Sequence, residues 1–96
     1  MYLLNVSYSQ SPVKVEPHVV AHSAWVKQHV DQGTFLIAGP KKSGLGGVIL
    51  VKSIPREKLQ ALLSEDSYVL ADVVDYQILD FDCKLAAIDL KALAGA

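Results

Sequence analysis

The chain has 96 residues and a mass of 10.4 kDa, which suits one domain over residues 1–96 and excludes an enzyme with separate cofactor and substrate lobes. Nine basic against ten acidic residues give a formal charge of −1, and no basic block could neutralise a run of phosphates, so neither nucleic acid nor an anionic membrane is an expected partner. Hydrophobic residues make up 51% of the chain and the mean hydropathy is +0.28, more than a domain burying about 60% of its unfolded surface easily hides, so a second copy is expected to cover part of it.

Cys83 is the sole cysteine. Without a disulfide framework the chain reads as a protein of a reducing compartment. No uncharged apolar run approaches the roughly 18 residues of a membrane span, and Met1 to Ser7 lacks the basic start of a signal peptide. The cytoplasm is the expected location.

In chain order, Tyr2 to Tyr8 is rich in strand formers and alternates at Leu4, Val6 and Tyr8, which predicts a strand. Val19, Val26 and Val30 fall on a narrow arc of a helical wheel, and Gly33 stands where a C-cap glycine would, so a first helix is expected from Pro17 to Gln32. Two short apolar runs, Thr34 to Ala38 and Gly47 to Val51, flank a turn beginning Gly39-Pro40-Lys41-Lys42-Ser43-Gly44 and read as a hairpin. Pro55 opens a short second helix with Leu59, Leu62 and Leu63 on one side. Glu65-Asp66-Ser67-Tyr68 breaks it, and Val74, Tyr76, Ile78, Leu79 and Phe81 predict a fourth strand.

The order βαββαβ is that of the ferredoxin-like α+β fold, a four-stranded antiparallel sheet with both helices on one face. Its other face is bare in a monomer. The face presented by Leu4/Val6, Leu36 and Val48/Leu50 is therefore expected to meet its copy in a homodimer. Beyond a core of about residues 2–81, Lys84 to Leu93 has high helix propensity and predicts a C-terminal helix within about 83–94, the alternative being a frayed tail.

Three histidines, His18, His22 and His29, lie on the first helix at spacings of four and seven, along one edge of the valine stripe and close to Trp25. A histidine on such a border can face a pocket and transfer protons, or can be a half-exposed boundary residue. His18 and His22 at i, i+4 could touch a metal, but a third ligand at a motif spacing is missing. The Gly39 to Gly47 turn is not a phosphate loop, because no Lys-Ser/Thr pair follows Gly44 and a strand follows it instead of a helix. No G-x-S-x-G elbow is present, and Cys83 has no neighbouring base. Asp31 is about 180° around the helix from His22, whereas Asp66, at the end of the second helix, can approach the side of the first.

In order and spacing, His22, Trp25, Gly33, Ala38-Gly39-Pro40 and the Asp66-Ser67-Tyr68 turn resemble the YciI-like (YCII-related) family, from about Tyr2 to Phe81. The resemblance implies a ferredoxin-like domain that dimerises through its sheets as a dimeric α+β barrel, with an active site centred on a His and an Asp. By position these are His22 and Asp66. Where the family turn usually reads Asp-Pro-aromatic, this chain has Ser67, so the loop holding Asp66 is expected to be less rigid or differently angled.

If the pair exists, Asp66 accepts a hydrogen bond from one ring nitrogen of His22 and leaves the other as a general base toward an acidic C–H or O–H beside a carbonyl. Tyr8 and Trp25 are candidates for the pocket wall, and the backbone at Gly39-Pro40 for close approach of a small ligand. The expected function is a small cofactor-independent lyase or isomerase acting on a small cyclic or aromatic metabolite, with no metal. The alternative is a dimer that binds or senses such a metabolite without chemistry.

Overall fold

A computed structural model of the protein describes residues 1–94, so the last two residues of the expected domain lie outside the described residues. Four strands form one antiparallel sheet in the order β2-β3-β1-β4: β1 (Tyr2–Tyr8), β2 (Phe35–Pro40), β3 (Gly46–Val51) and β4 (Val74–Asp80). Four helices punctuate it: α1 (Pro12–Val15), α2 (Val19–Asp31), α3 (Arg56–Leu63) and α4 (Ser67–Leu70). The α+β ferredoxin-like arrangement is as the pattern predicts. No helix among the described residues is long and apolar enough to cross a membrane.

The pleat divides the sheet into two chemical faces. Tyr2, Leu4 and Val6 alternate inward on β1, opposite Val51, Ile49 and Gly47 on β3 and Asp80, Ile78 and Tyr76 on β4. Leu4, Val15, Phe35, Val51 and Leu59 are almost completely buried between this face and the helices, each side chain contributing about 1.5–3 kcal/mol relative to exposure. Leu4 and Val6 thus belong to the core, which corrects their expected place on a dimer face. The outer face instead carries one apolar row that crosses all four strands in register, Ile37–Leu50–Leu3–Leu79, with Ile37 64% and Leu79 60% exposed. Leu36 sits at an irregularity between Phe35 and Ile37.

The first helix begins later than expected. Pro17 lacks an N–H and its ring crowds the preceding turn, so α1 passes through a 3-10 turn (Glu16–His18) before α2 starts at Val19. Its end is as predicted: Gly33 takes φ 79°, donating to the Val30 carbonyl while Thr34 donates to that of His29, a Schellman closure that turns the chain into β2. Pro55 is the residue before α3 and not its first helical position; its carbonyl accepts from Lys58 and Leu59. The segment after β4 forms no α-helix. It runs irregularly to a 3-10 stretch (Ile88–Leu93), with Leu85 94% and Ile88 80% exposed, because propensity without a packed apolar face does not sustain a short helix.

Candidate active site

The site begins with how α3 stops. After Leu63 the chain turns through Ser64 and Glu65 and sets Asp66 in an extended conformation as the N-cap of α4, its Oδ1 accepting the Tyr68 backbone N–H at 3.1 Å. Asp66 has no solvent exposure, and a buried carboxylate is costly unless surrounded by donors. Two side chains supply them. His22 Nδ1 lies 2.7 Å from Oδ1, and the Tyr76 hydroxyl donates to Oδ2 at 2.6 Å.

His22 comes from the first half of α2, Asp66 from the start of α4 and Tyr76 from the inner face of β4, so three elements converge on one carboxylate. With Oδ1 as acceptor, the neutral ring of His22 carries its proton on Nδ1, and Nε2 keeps its lone pair. The ring plane is held as well: Tyr68 stacks on it with centroids 3.8 Å apart and planes 7° from parallel. Ser67 donates to the His18 carbonyl at 3.0 Å and so ties the α4 turn to the start of α2. In this chain a hydrogen bond anchors the loop where the family's usual proline would stiffen it.

Burial, followed by its hydrogen bond to Asp66, pushes the Tyr76 hydroxyl far above the ordinary phenol range. Burial and a hydrogen bond with the Tyr8 hydroxyl do the same for Tyr68. Both phenols therefore hold their protons well above the ordinary phenol range.

His22 opens on a cavity of about 460 Å³ between α2 and the β1-β3-β2 side of the sheet. Its walls are mostly aliphatic, from Val6, Val19, Val26, Val30 and Ile49, while Tyr8, Tyr68, Ser23 and Lys27 bring polar groups. Among the described residues no carboxylate lines it. Gly39 and Pro40 form part of the β2 wall, and a Cβ at Gly39 would meet nothing within 4 Å. Gly46 serves the fold instead of the cavity. At its φ of 147°, a Cβ would lie 1.9 Å from the Val6 carbonyl oxygen, so only glycine lets β3 meet β1 at this end.

Of the residues singled out by pattern, His22, Asp66, Tyr8, Gly39 and Pro40 gather at this cavity or directly behind it. Trp25 does not line it. One turn beyond His22, its ring points into the core against Phe35, with centroids 5.2 Å apart. His29 is buried beside Trp25 and Phe35, and His18 caps α2. Asp31 pairs with Lys27 at 2.6 Å. Among the described residues no group of three or more His, Cys, Asp or Glu converges as metal ligands would.

Tyr68 and Tyr76 are the components that pattern reading missed. The Val74/Tyr76/Ile78 alternation placed Tyr76 on the inner face, and a buried tyrosine seeks a partner for its hydroxyl. That signal pointed to a polar contact without naming Asp66.

The fold and the site together define a small ferredoxin-like α+β domain with a His–Asp pair at the edge of an apolar cavity. Residues 1–82 match the model of the YCII-related domain, and the chain belongs to that family. Among solved structures it is similar to 5-chloro-2-hydroxyhydroquinone dehydrochlorinase from Burkholderia phenoliruptrix AC1100, determined in complex with 2,5-dihydroxybenzoquinone. The TM-score is 0.68 at 12% identity, over 85% of this chain and 94% of that one. No curated protein matches the chain by sequence.

Proposed function

We propose that the protein is a small cofactor-independent enzyme of lyase or isomerase type, in which His22 moves protons on a cyclic or aromatic metabolite held in the cavity. The observation that carries this reading is the 2.7 Å His22–Asp66 contact behind a ring that opens on an apolar pocket. Nε2 takes the proton of a ring hydroxyl while the O–H electron pair forms a carbonyl, and the imidazolium returns the proton to a ring carbon, completing an isomerisation. Where that carbon bears a leaving group, loss of a proton from a second, conjugated hydroxyl expels the group as an anion with its bonding pair, and the sum is an elimination. Asp66 neutralises the imidazolium formed at each step without itself taking the proton.

The structural neighbour, by its description a dehydrochlorinase of a hydroxyhydroquinone, supports the choice of a polyhydroxylated ring as the first substrate to try. Chloride release from 5-chloro-2-hydroxyhydroquinone and its ring analogues provides the assay. His22→Gln is expected to lose at least about 100-fold in rate, the lower end for a positioned acid–base group; an unchanged rate rejects the assignment.

We further propose that the domain is a homodimer closed through the outer sheet face. The Ile37–Leu50–Leu3–Leu79 row is an apolar band across a twisted sheet with nothing else to cover it among the described residues. Leu79→Glu is expected to halve the mass in solution measured by light scattering, and a monomeric wild type would contradict the proposal.

A further inference from the structure

Proton removal by His22 leaves negative charge on a substrate oxygen, and in a cavity with aliphatic walls that charge needs a donor aimed at it. Four polar side chains line the cavity besides His22. The Lys27 ammonium is mostly exposed and bonded to Asp31, and Ser23 lies on the exposed side of α2. Tyr68 is buried, its ring stacked on His22 and edge-on to Tyr8. That leaves the O–H of Tyr8, at the end of β1 on the inner face and half-buried.

Tyr8 is also well placed relative to the base. Tyr68 stacks on His22 and meets Tyr8 edge-on with centroids 5.9 Å apart, so the three rings form a continuous wall with the imidazole at one end and the Tyr8 phenol at the other. We propose that Tyr8 is a second catalytic residue of this cavity, donating its hydroxyl to the substrate oxygen on which charge collects, with Tyr68 as the residue that orients it. The ligand class that fits is a planar ring or enediol with two oxygens, one within reach of His22 Nε2 and another that becomes anionic beside Tyr8. This inference rests on the proton-transfer reading above.

Absorbance titration of the intact protein with 2,5-dihydroxybenzoquinone, the compound bound by the structural neighbour, tests it. Tyr8→Phe keeps the ring contact with Tyr68 and is expected to weaken binding by about 10- to 100-fold, as for one hydrogen bond to a charged group. The bound ligand's visible band is expected to move to longer wavelength, because a hydrogen bond at an anionic oxygen lowers the localised ground state more than the delocalised excited state. Equal affinity and band position for Tyr8→Phe and wild type overturn the proposal, as does failure of the wild type to bind at millimolar ligand. His22→Gln in the chloride-release assay separates the two readings. Survival of its turnover rejects the base and not the donor, whereas an unaffected Tyr8→Phe rejects the donor and not the base.

Discussion

Removing one oxygen atom, in Tyr76→Phe, tests how the site is held together. The Tyr76 hydroxyl is the partner of Asp66 Oδ2 at 2.6 Å, and the carboxylate behind it has no access to solvent. Its loss leaves a buried charged acceptor one donor short, which costs about 2 kcal/mol. In a domain of this size that lowers the melting temperature by about 8–16 °C. An alkaline signature accompanies it. Tyr68 and Tyr76 hold their protons in the folded state to a pH well above the ordinary phenol value near 10, so above that value the unfolded chain releases protons first. Their contribution to stability is therefore complete below pH 10 and declines as pH rises, by up to about 1.4 kcal/mol per pH unit for each tyrosine. Tyr76→Phe should halve that slope, measured as the urea midpoint against pH from 9 upward. A variant that melts within about 2 °C of wild type, with an unchanged alkaline slope, would show that the Tyr76–Asp66 bond contributes nothing to the fold.

Three further outcomes follow from the packing. Asp66→Asn keeps the shape but weakens charge-assisted bonds from His22, Tyr68 and Tyr76; the expected loss is about 2–3 kcal/mol in chemical denaturation, and an unchanged midpoint would contradict it. Gly46→Ala forces a Cβ against the Val6 carbonyl oxygen at a φ that side chains avoid, and should destabilise by at least about 2 kcal/mol by the same measurement. His29 is buried with neither ring nitrogen hydrogen-bonded, the nearest carboxylate oxygen being that of Glu65 at 3.9 Å from Nε2. His29→Leu is therefore expected to leave stability unchanged or raise it by about 1 kcal/mol, and a loss above about 1 kcal/mol would reveal a hydrogen bond to an internal water.

Local chemistry made much of this fold legible. Strand alternation located β1 and β4, Gly33 marked the end of α2, and the Gly39 to Gly47 turn announced the hairpin. Errors arose where the local signal was ambiguous. Leu3 and Leu4 are both apolar, so only the register with Ile49 and Leu50 decides which one faces the helices. The tail from Lys84 has helix formers but no stripe to bury. At the site, the spacing and family resemblance that single out His22 and Asp66 are carried by residues 44 positions apart. Their contact depends on the turn after α3, and the Tyr68 and Tyr76 contacts depend on packing that no short window contains. Trp25 shows the reverse case: it shares an edge with His22 on the wheel, yet it is buried against Phe35 and His29.

In the proposed reaction Asp66 fixes His22 as the Nδ1–H tautomer and leaves Nε2 as the base at the cavity. Long-range proton–nitrogen NMR correlation on uniformly labelled protein at neutral to mildly alkaline pH reads this directly. A protonated Nδ1 and an unprotonated, pyridine-type Nε2 are expected for His22, with the preference lost in Asp66→Asn. A His22 ring carrying its proton on Nε2 in the wild type would contradict it.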